Sequence, residues 1–345
     1  MILKPACTRE PLRHKVEFRK ALASWFGSVG RDYPWRRTRD PYRVLVSEVM
    51  LQQTQIATVL GKDYYGRFLE QFPDLASLAE ADDESLLKAW EGLGYYRRAR
   101  MLRETARSIL SKHDGIFPAN AVELIALPGV GRYTAGAIRS FAFDEPSALV
   151  DGNVARVLSR LMDFSMPVDD ASGQKMIWHW AEELADPRQP RIHNSAIMEL
   201  GQRICRPGVP DCMACPVAEF CISRTPENLP IKRPKQSVTR IDEHAIWVRD
   251  DSGRLMMHLE GSKRREGLWK LPTRSDSEVA ELPVLTEIRY SITRFRVTLR
   301  VHDGAGDAFL ARTGLGENWI KIDEVRQLPM PSPFRRVIER LLDKT

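Results

Sequence analysis

Residues 224–240, RTPENLPIKRPKQSVTR, divide this chain into two stretches of different texture, and that division constrains the fold more than any other feature. The segment is rich in Pro and Lys/Arg and poor in large apolar side chains, the composition of a linker rather than of a packed element. Ahead of it, apolar residues recur at spacings of three and four, the helical period. Val16, Phe18, Leu22, Trp25 and Phe26 stripe a first helix over 15–30, and the same period runs through 64–71, 75–89, 97–110, 121–127, 133–142, 153–162 and 174–184. Nothing between 40 and 200 alternates long enough for a strand. Behind the linker, short β-prone runs fall at 245–248, 255–259, 295–301 and 319–322, with Asp250-Asp251-Ser252-Gly253 as a hairpin turn and an amphipathic helix from Ser332 to Leu342. The pattern predicts a multidomain protein: an all-α domain over 15–224, a linker over 225–239 and an α+β domain over 240–345.

Within the helical part, residues 41–55, PYRVLVSEVMLQQTQ, are apolar from Val44 to Leu51 except for Ser47 and Glu48. Such a helix buries most of its sides. A carboxyl group there resists ionisation, because desolvation disfavours its charged form, and a protonated Glu at neutral pH is a general acid. The opposing reading is a Glu that reaches solvent or pairs with an Arg. Gln52, Gln53 and Thr54 follow at once and supply donors and acceptors suited to bases or a backbone. Further on, Leu127-Pro128-Gly129-Val130-Gly131-Arg132-Tyr133 joins two helical segments. Gly129 and Gly131 allow an unusual turn whose N–H groups, with the next helix N-terminus, make a phosphate cradle. Asp151, in Val150-Asp151-Gly152-Asn153, is either a helix cap or the second carboxylate of a pair that cleaves a glycosidic bond through an oxocarbenium-like transition state, the ionised partner of a protonated Glu48.

Four of the five cysteines fall in a C-x6-C-x2-C-x5-C run, Cys205, Cys212, Cys215 and Cys221. That clustering fits a metal site in a reducing compartment better than a disulfide framework, and spacing alone leaves structural zinc and a [4Fe–4S] cluster both open. Cys7 stands outside the pattern. In Trp90-Glu91-Gly92-Leu93-Gly94-Tyr95-Tyr96-Arg97-Arg98, aromatics beside cations suit base stacking and phosphate contact, with one Tyr in the core and one at the surface. A net charge of +6 favours a polyanionic partner. No run of about 18 apolar residues exists to span a membrane, and the first twenty residues hold no long apolar stretch, so no signal peptide is read.

Taken in order, SEVMLQQTQ, WEGLGYYRRAR, LPGVGRYTAG, VDGNVARVLSR and the cysteine run resemble the adenine DNA glycosylase (MutY) family of the helix-hairpin-helix superfamily. The resemblance is close over about 20–225. It implies an all-α helix-hairpin-helix glycosylase domain, its hairpin at about 121–142, with a [4Fe-4S] cluster in the 205–221 loop. It also implies a hydrolase that removes adenine mispaired with 8-oxoguanine or guanine in double-stranded DNA, with the base extruded from the stack. Carried over by position, Glu48 matches the general acid and Asp151 the carboxylate that stabilises or transiently bonds to the sugar cation. Tyr133 and Asn153 match supporting residues, and Arg36 resembles an adenine-pocket residue. Gln53 and Tyr95 resemble residues wedged into the duplex. Related endonuclease III enzymes carry a strand-nicking Lys where Tyr133 stands, so the resemblance implies a monofunctional enzyme with little lyase activity. A monomeric, cytoplasmic, bacterial protein, nucleoid-associated when on DNA, completes this expectation.

The second domain is similar to the family's Nudix-like lesion-sensing domain through Gly267-Leu268-Trp269-Lys270-Leu271-Pro272 and Trp319-Ile320-Lys321-Ile322-Asp323-Glu324. The acidic segment of Nudix hydrolases is missing after Pro272, so no pyrophosphatase activity is expected. Two positions depart from the family. Ile292-Thr293-Arg294 stands where the recognition loop commonly reads Phe-Ser-His, and Thr293 and Arg294 keep a hydroxyl and hydrogen-bond donors there. Ser195 stands where Gln or Glu usually lies near the adenine. Both bear on the choice of lesion, and neither bears on Glu48 and Asp151.

Overall fold

A computed structural model of the chain describes residues 7–234, 237–261, 265–304 and 314–343. The first part is helical in chain order: α1 (Lys15–Val29), α2 (Pro41–Leu51), α3 (Ile56–Gly61), α4 (Tyr64–Gln71), α5 (Leu75–Glu80), α6 (Asp83–Ala89), α7 (Arg97–Lys112), α8 (Ala121–Ala126), α9 (Arg132–Phe141), α10 (Gly152–Leu161), α11 (Ala171–Leu184) and α12 (Pro190–Arg203). Then follow β1 (Thr239–Trp247), β2 (Leu255–Leu259), β3 (Trp269–Lys270), β4 (Thr273–Arg274), α13 (Asp276–Val279), β5 (Val284–Ile292), β6 (Phe295–Asp303), β7 (Glu317–Ile320), α14 (Ile322–Val325) and α15 (Ser332–Leu342). Among the described residues no helix is long and apolar enough to cross a membrane.

The chain forms two compact units, each built from two separated stretches. One holds the residues up to Gln52 together with Ser108–Pro234; the other holds Gln53–Arg107 and the residues beyond Pro234. In the first unit α1 and α10 pack on α12, and α2 packs on α9. Phe18, Leu22, Leu158, Ile177, Leu184, Ile197, Leu200 and Phe220 make its core, and Cys205, Cys215 and Cys221 lie against that core. α2 starts at Pro41 because Asp40 caps it, accepting from the Tyr42 N–H at 2.9 Å, and Pro at the first position needs no donor.

In the second unit α3–α6 gather around an aromatic pair, Phe68 edge-on to Trp90 at 5.6 Å. The strands form two sheets, ordered β4-β1-β6-β5 and β3-β2-β7. β1 runs parallel to β6, and β5 runs antiparallel to it. α15 covers the first sheet, setting Phe334, Val337, Ile338 and Leu341 against Ile288, Leu299 and Val301. Each such burial contributes about 1.5–3 kcal/mol.

The structure departs from the sequence pattern in three places. The periodic stretch 75–89 is two helices, because Asp82 accepts from the Ser85 N–H at 2.7 Å and starts a new one after Ala81. β5 carries no expectation from sequence: its Glu287 and Arg289 face outward between buried Thr286 and Ile288, an alternation hidden by the charges. The β-prone run at 319–322 ends as strand at Ile320, and Ile322 opens α14. The turn at 250–253 forms as expected, with the Gly253 N–H on the Asp250 carbonyl at 2.9 Å.

Candidate active site

Glu48 lies in the last half of α2, only 5% exposed, on a helix whose residues 44–50 are all buried. Burial is the main force on its carboxyl and pushes its pKa up to about 7. The Tyr133 hydroxyl, from the first turn of α9, donates to it and pulls the other way. The charge of Asp151 raises it further, and Arg36 lowers it. Three residues from three other segments, Arg36, Tyr133 and Asp151, therefore converge on the Glu48 carboxyl. Part of Tyr133 remains exposed, but its phenol is desolvated and, with two carboxylates nearby, titrates well above the ordinary range. Burial thus keeps the Glu48 carboxyl largely protonated up to near neutrality.

Asp151 is a helix cap whose charge also reaches Glu48. It caps α10, its Oδ1 accepting from the Asn153 and Val154 N–H groups at 2.9 and 2.7 Å. Its Oδ2 accepts from Asn153 Nδ2 at 2.8 Å. Asn153 Oδ1 in turn accepts from Arg156 Nη2 at 2.9 Å, and Arg156 Nε donates to the Cys205 carbonyl at 2.8 Å. A continuous hydrogen-bonded path thus links the carboxylate beside Glu48 to the cysteine loop. Three N–H donors fix the Asp151 carboxylate in one orientation, which is what a group facing a developing cation needs.

Arg160, also on α10 and fully buried, ties that loop down. It donates to the Leu229, Arg206 and Gly208 carbonyls at 2.9, 2.7 and 2.9 Å and to Cys205 Sγ at 3.4 Å. Cys221 Sγ lies 3.3 Å from the Arg160 carbonyl. Burial pushes the Cys215 thiol up to about 12, and the other three sulfurs add to the rise. The sulfurs of Cys205, Cys212 and Cys221 thus lie within electrostatic reach of the desolvated Cys215 thiol, a donor set that suits a positive metal centre. Among the described residues no group of three or more His, Cys, Asp and Glu side chains is set to hold a single ion. Cys7 is exposed and apart from the run in sequence.

Arg36 closes a short 3-10 turn, Pro34–Arg36, and donates to Glu199 Oε2 at 3.0 Å and to the Arg31 carbonyl at 2.8 Å. Its guanidinium lies 4.8 Å from the Tyr33 ring centre and 5.2 Å from that of Phe26. Sequence reasoning missed Glu199. It is fully buried on α12, with Arg31 and Arg203 at 3.6 and 3.8 Å, and among the described residues its Oε1 accepts no hydrogen bond. Ser195, buried one helical turn earlier, shares its face.

The turn between α8 and α9 corrects one expectation. Gly129 does take a left-handed φ of 75°, and there only Gly is unstrained. Gly131 does not: it caps α9 with extended backbone, φ −95° and ψ 178°, which any residue adopts. A Cβ there would meet open space.

The profile of the HhH-GPD superfamily of base excision DNA repair proteins matches residues 46–172, from the Glu48 helix through α10. A rat protein named adenine DNA glycosylase is 46% identical over 213 residues, covering 59% of this chain. Over its helical part the chain is similar to proteins named adenine DNA glycosylase. The match spans 41% of the rat protein's length. Among solved structures, a thermostable thymine-DNA glycosylase is 29% identical with a TM-score of 0.56, over 61% of this chain and 96% of its own. An endonuclease III trapped as a covalent intermediate with DNA is 25% identical with a TM-score of 0.52, over 62% of this chain and 97% of its own. The fold of the chain is therefore the helical HhH-GPD fold joined to an α+β C-terminal part.

The other sequence-chosen residues fall in two places. Gln52 ends α2, and Gln53 follows with a left-handed φ of 58°. Thr54 Oγ1 accepts from Arg98 Nη2 at 3.3 Å, and Arg98 also donates to the Leu93 carbonyl at 3.0 Å. Tyr95 is 48% exposed and Tyr96 is 7% exposed, so one tyrosine faces out and one packs. Tyr95 has φ 44°. Thr293 and Arg294 form the two-residue loop between β5 and β6, closed by the Ile292–Phe295 pair, and Thr293 has φ 52°. A β-branched residue at positive φ is strained. The structure brings Tyr95 and Thr293 to one cleft of about 430 Å³ within the second unit, lined also by Arg265, Tyr290, Pro333 and Arg336. No sequence signal linked them, because their nearness is made by the fold.

Proposed function

We propose that the chain removes adenine mispaired with 8-oxoguanine or guanine in double-stranded DNA, hydrolysing the N-glycosidic bond without a strand-nicking step. The observation that carries this is the Glu48 carboxyl, buried and raised to about 7, with Tyr133 bonded to it and Asp151 within electrostatic reach. Glu48 gives its proton to the adenine as the base leaves. Asp151 faces the sugar as positive charge develops on it. Tyr133 and Asn153 hold the two carboxyls in place, and Arg36, anchored on Glu199, supports the adenine pocket with Ser195. The family likeness and the tyrosine at position 133, rather than a lysine, support the monofunctional reading.

Cys205, Cys212, Cys215 and Cys221 would hold the [4Fe-4S] cluster, which when bound supplies a sulfur-ligated anchor for its loop. The three sulfurs within electrostatic reach of Cys215 and the Arg160 contact support that assignment. Gly129, Gly131 and the α9 N-terminus grip the phosphate backbone without reading sequence. Gln52, Gln53, Thr54 and Tyr95 meet the bases beside the lesion, and the Nudix-like part senses the opposing base through Thr293 and Arg294.

The test is Glu48→Gln. Single-turnover adenine release should vanish while binding to a duplex with A opposite 8-oxoguanine stays measurable; retained release would overturn the mechanism. Anaerobically purified protein should be yellow-brown with about four irons per chain. A colourless folded protein with one zinc would overturn the cluster.

A further inference from the structure

Behind the cleft that holds Tyr95 and Thr293 sits an ion pair that the chemistry at Glu48 does not use. Arg335 of α15 meets Glu91 with both arms of its fork, Nε to Oε1 at 2.7 Å and Nη2 to Oε2 at 3.0 Å. The two side chains are 13% and 15% exposed. Arg335 also donates to the Leu328 carbonyl at 2.5 Å and to the Arg326 carbonyl at 3.2 Å. Glu91 also accepts from Lys88 Nζ at 3.0 Å. A bidentate, partly desolvated Arg–carboxylate pair is geometrically exact in a way that a surface pair is not.

Its place matters more than its strength. Glu91 lies in the turn that presents Tyr95, a turn tightened by Trp90 Nε1 on the Gly94 carbonyl at 3.1 Å. Arg335 lies beside Pro333 and Arg336, which line the same cleft. The segment it braces, Leu328 to Met330, also takes the Tyr96 hydroxyl on the Met330 carbonyl at 3.0 Å. One guanidinium therefore pins the Tyr95 turn to the wall that carries α15. The hairpin bearing Thr293 is anchored independently, by the Tyr290 hydroxyl on Glu243 at 2.5 Å and by Arg265 Nη2 on Tyr290 at 3.0 Å.

We propose that Glu91 and Arg335 are positioning residues for lesion specificity: the pair sets the spacing between Tyr95 and Thr293, and so the preference for adenine opposite 8-oxoguanine over adenine opposite guanine. This rests on the reading of the second unit as lesion-sensing. Neither residue touches the reacting atoms. A gap that is wrong by a fraction of an ångström should spoil the contact made with the odd base while leaving bond cleavage at Glu48 alone.

The experiment measures single-turnover adenine release and duplex affinity with A opposite 8-oxoguanine and A opposite guanine, for the full chain, Glu91→Gln, Arg335→Met and the double variant. Glu91→Gln is isosteric and keeps an acceptor, so it tests the pair where Arg335→Met fails to fold. Each folded single variant should lower the preference about tenfold, while release opposite guanine changes by less than about twofold. The double variant should lose no more than the worse single one, because both act through one contact. An unchanged preference in a folded variant overturns the proposal, and so does an equal loss on both duplexes, which is what a merely structural pair would give. If the unaltered chain shows no preference, the lesion-sensing reading fails; if it releases no adenine, the proposed function fails.

Discussion

The Glu48 centre and the Tyr95–Thr293 cleft are built on opposite principles. At Glu48 the carboxyl is buried, its proton is held by desolvation, and its neighbours are fixed by caps and by bonds to Tyr133 and Asn153. At the cleft Tyr95 is exposed and Thr293 sits at a hairpin tip, and both stand at positive φ without being glycine. A bond-breaking site needs a low dielectric and fixed dipoles, so it stores its cost as buried polarity. A site that reads a large, wet surface needs side chains displayed outward, so it stores its cost as backbone strain.

The largest effect expected from breaking this contrast is at Glu48. Glu48→Gln should lower adenine release by about 10³-fold or more, measured in single turnover, because the proton donor is gone and nothing else in the centre replaces it. Tyr133→Phe should cost about 10–100-fold, the worth of one hydrogen bond to a charged group. It should also move the alkaline limb of the pH profile upward, because losing a donor to the carboxylate favours its protonated form. For the full chain, release should fall as pH rises through about 7, where Glu48 loses its proton.

The same burial has a sign in stability. Between the ordinary carboxyl range and about pH 7 the folded chain keeps a proton that the unfolded chain has released, so stability falls as pH rises through that window. Glu48→Gln should therefore raise stability above pH 7 by up to about 3 kcal/mol and change it little below pH 4, read by denaturant unfolding at the two pH values. The smallest effect belongs to the cleft. Thr293→Gly should stabilise the chain by about 1 kcal/mol, by relieving positive φ, with no change in release opposite guanine. A destabilised Thr293→Gly would mean that the hydroxyl bond to the Ile292 carbonyl, at 2.7 Å, outweighs the strain.

What sequence revealed follows from the same physics. The Glu48 helix was legible because a nearly unbroken apolar run leaves its lone carboxyl nowhere to go, and the cysteine run was legible because thiols seldom cluster without a reason. Asp151 was half legible: sequence offered a helix cap or a partner of Glu48 without deciding between them, and only the fold shows it capping α10 with its charge within reach of Glu48. Glu199 was invisible, since a Glu in Met198-Glu199-Leu200-Gly201-Gln202-Arg203 looks like any exposed helical acid until Arg31, Arg36 and Arg203 are seen around it. β5 was hidden because its outward charges mask the alternation, and the paired use of Tyr95 and Thr293 exists only once the chain has folded. The two glycines of the 127–133 turn looked equivalent in sequence and differ in backbone.

Arg160 carries a consequence for how the cysteine loop is assembled. Its guanidinium reaches Leu229 on one side and Arg206 and Gly208 on the other, while its own carbonyl lies beside Cys221. Closing a loop of this length otherwise costs chain entropy at the moment a metal centre is captured. Here a side chain already draws the two ends of the loop toward α10, so loading of the proposed cluster would become the filling of a path laid down by the polypeptide. A chain with Arg160 replaced should still contain every sulfur and yet load slowly, an order-of-events defect rather than a missing ligand.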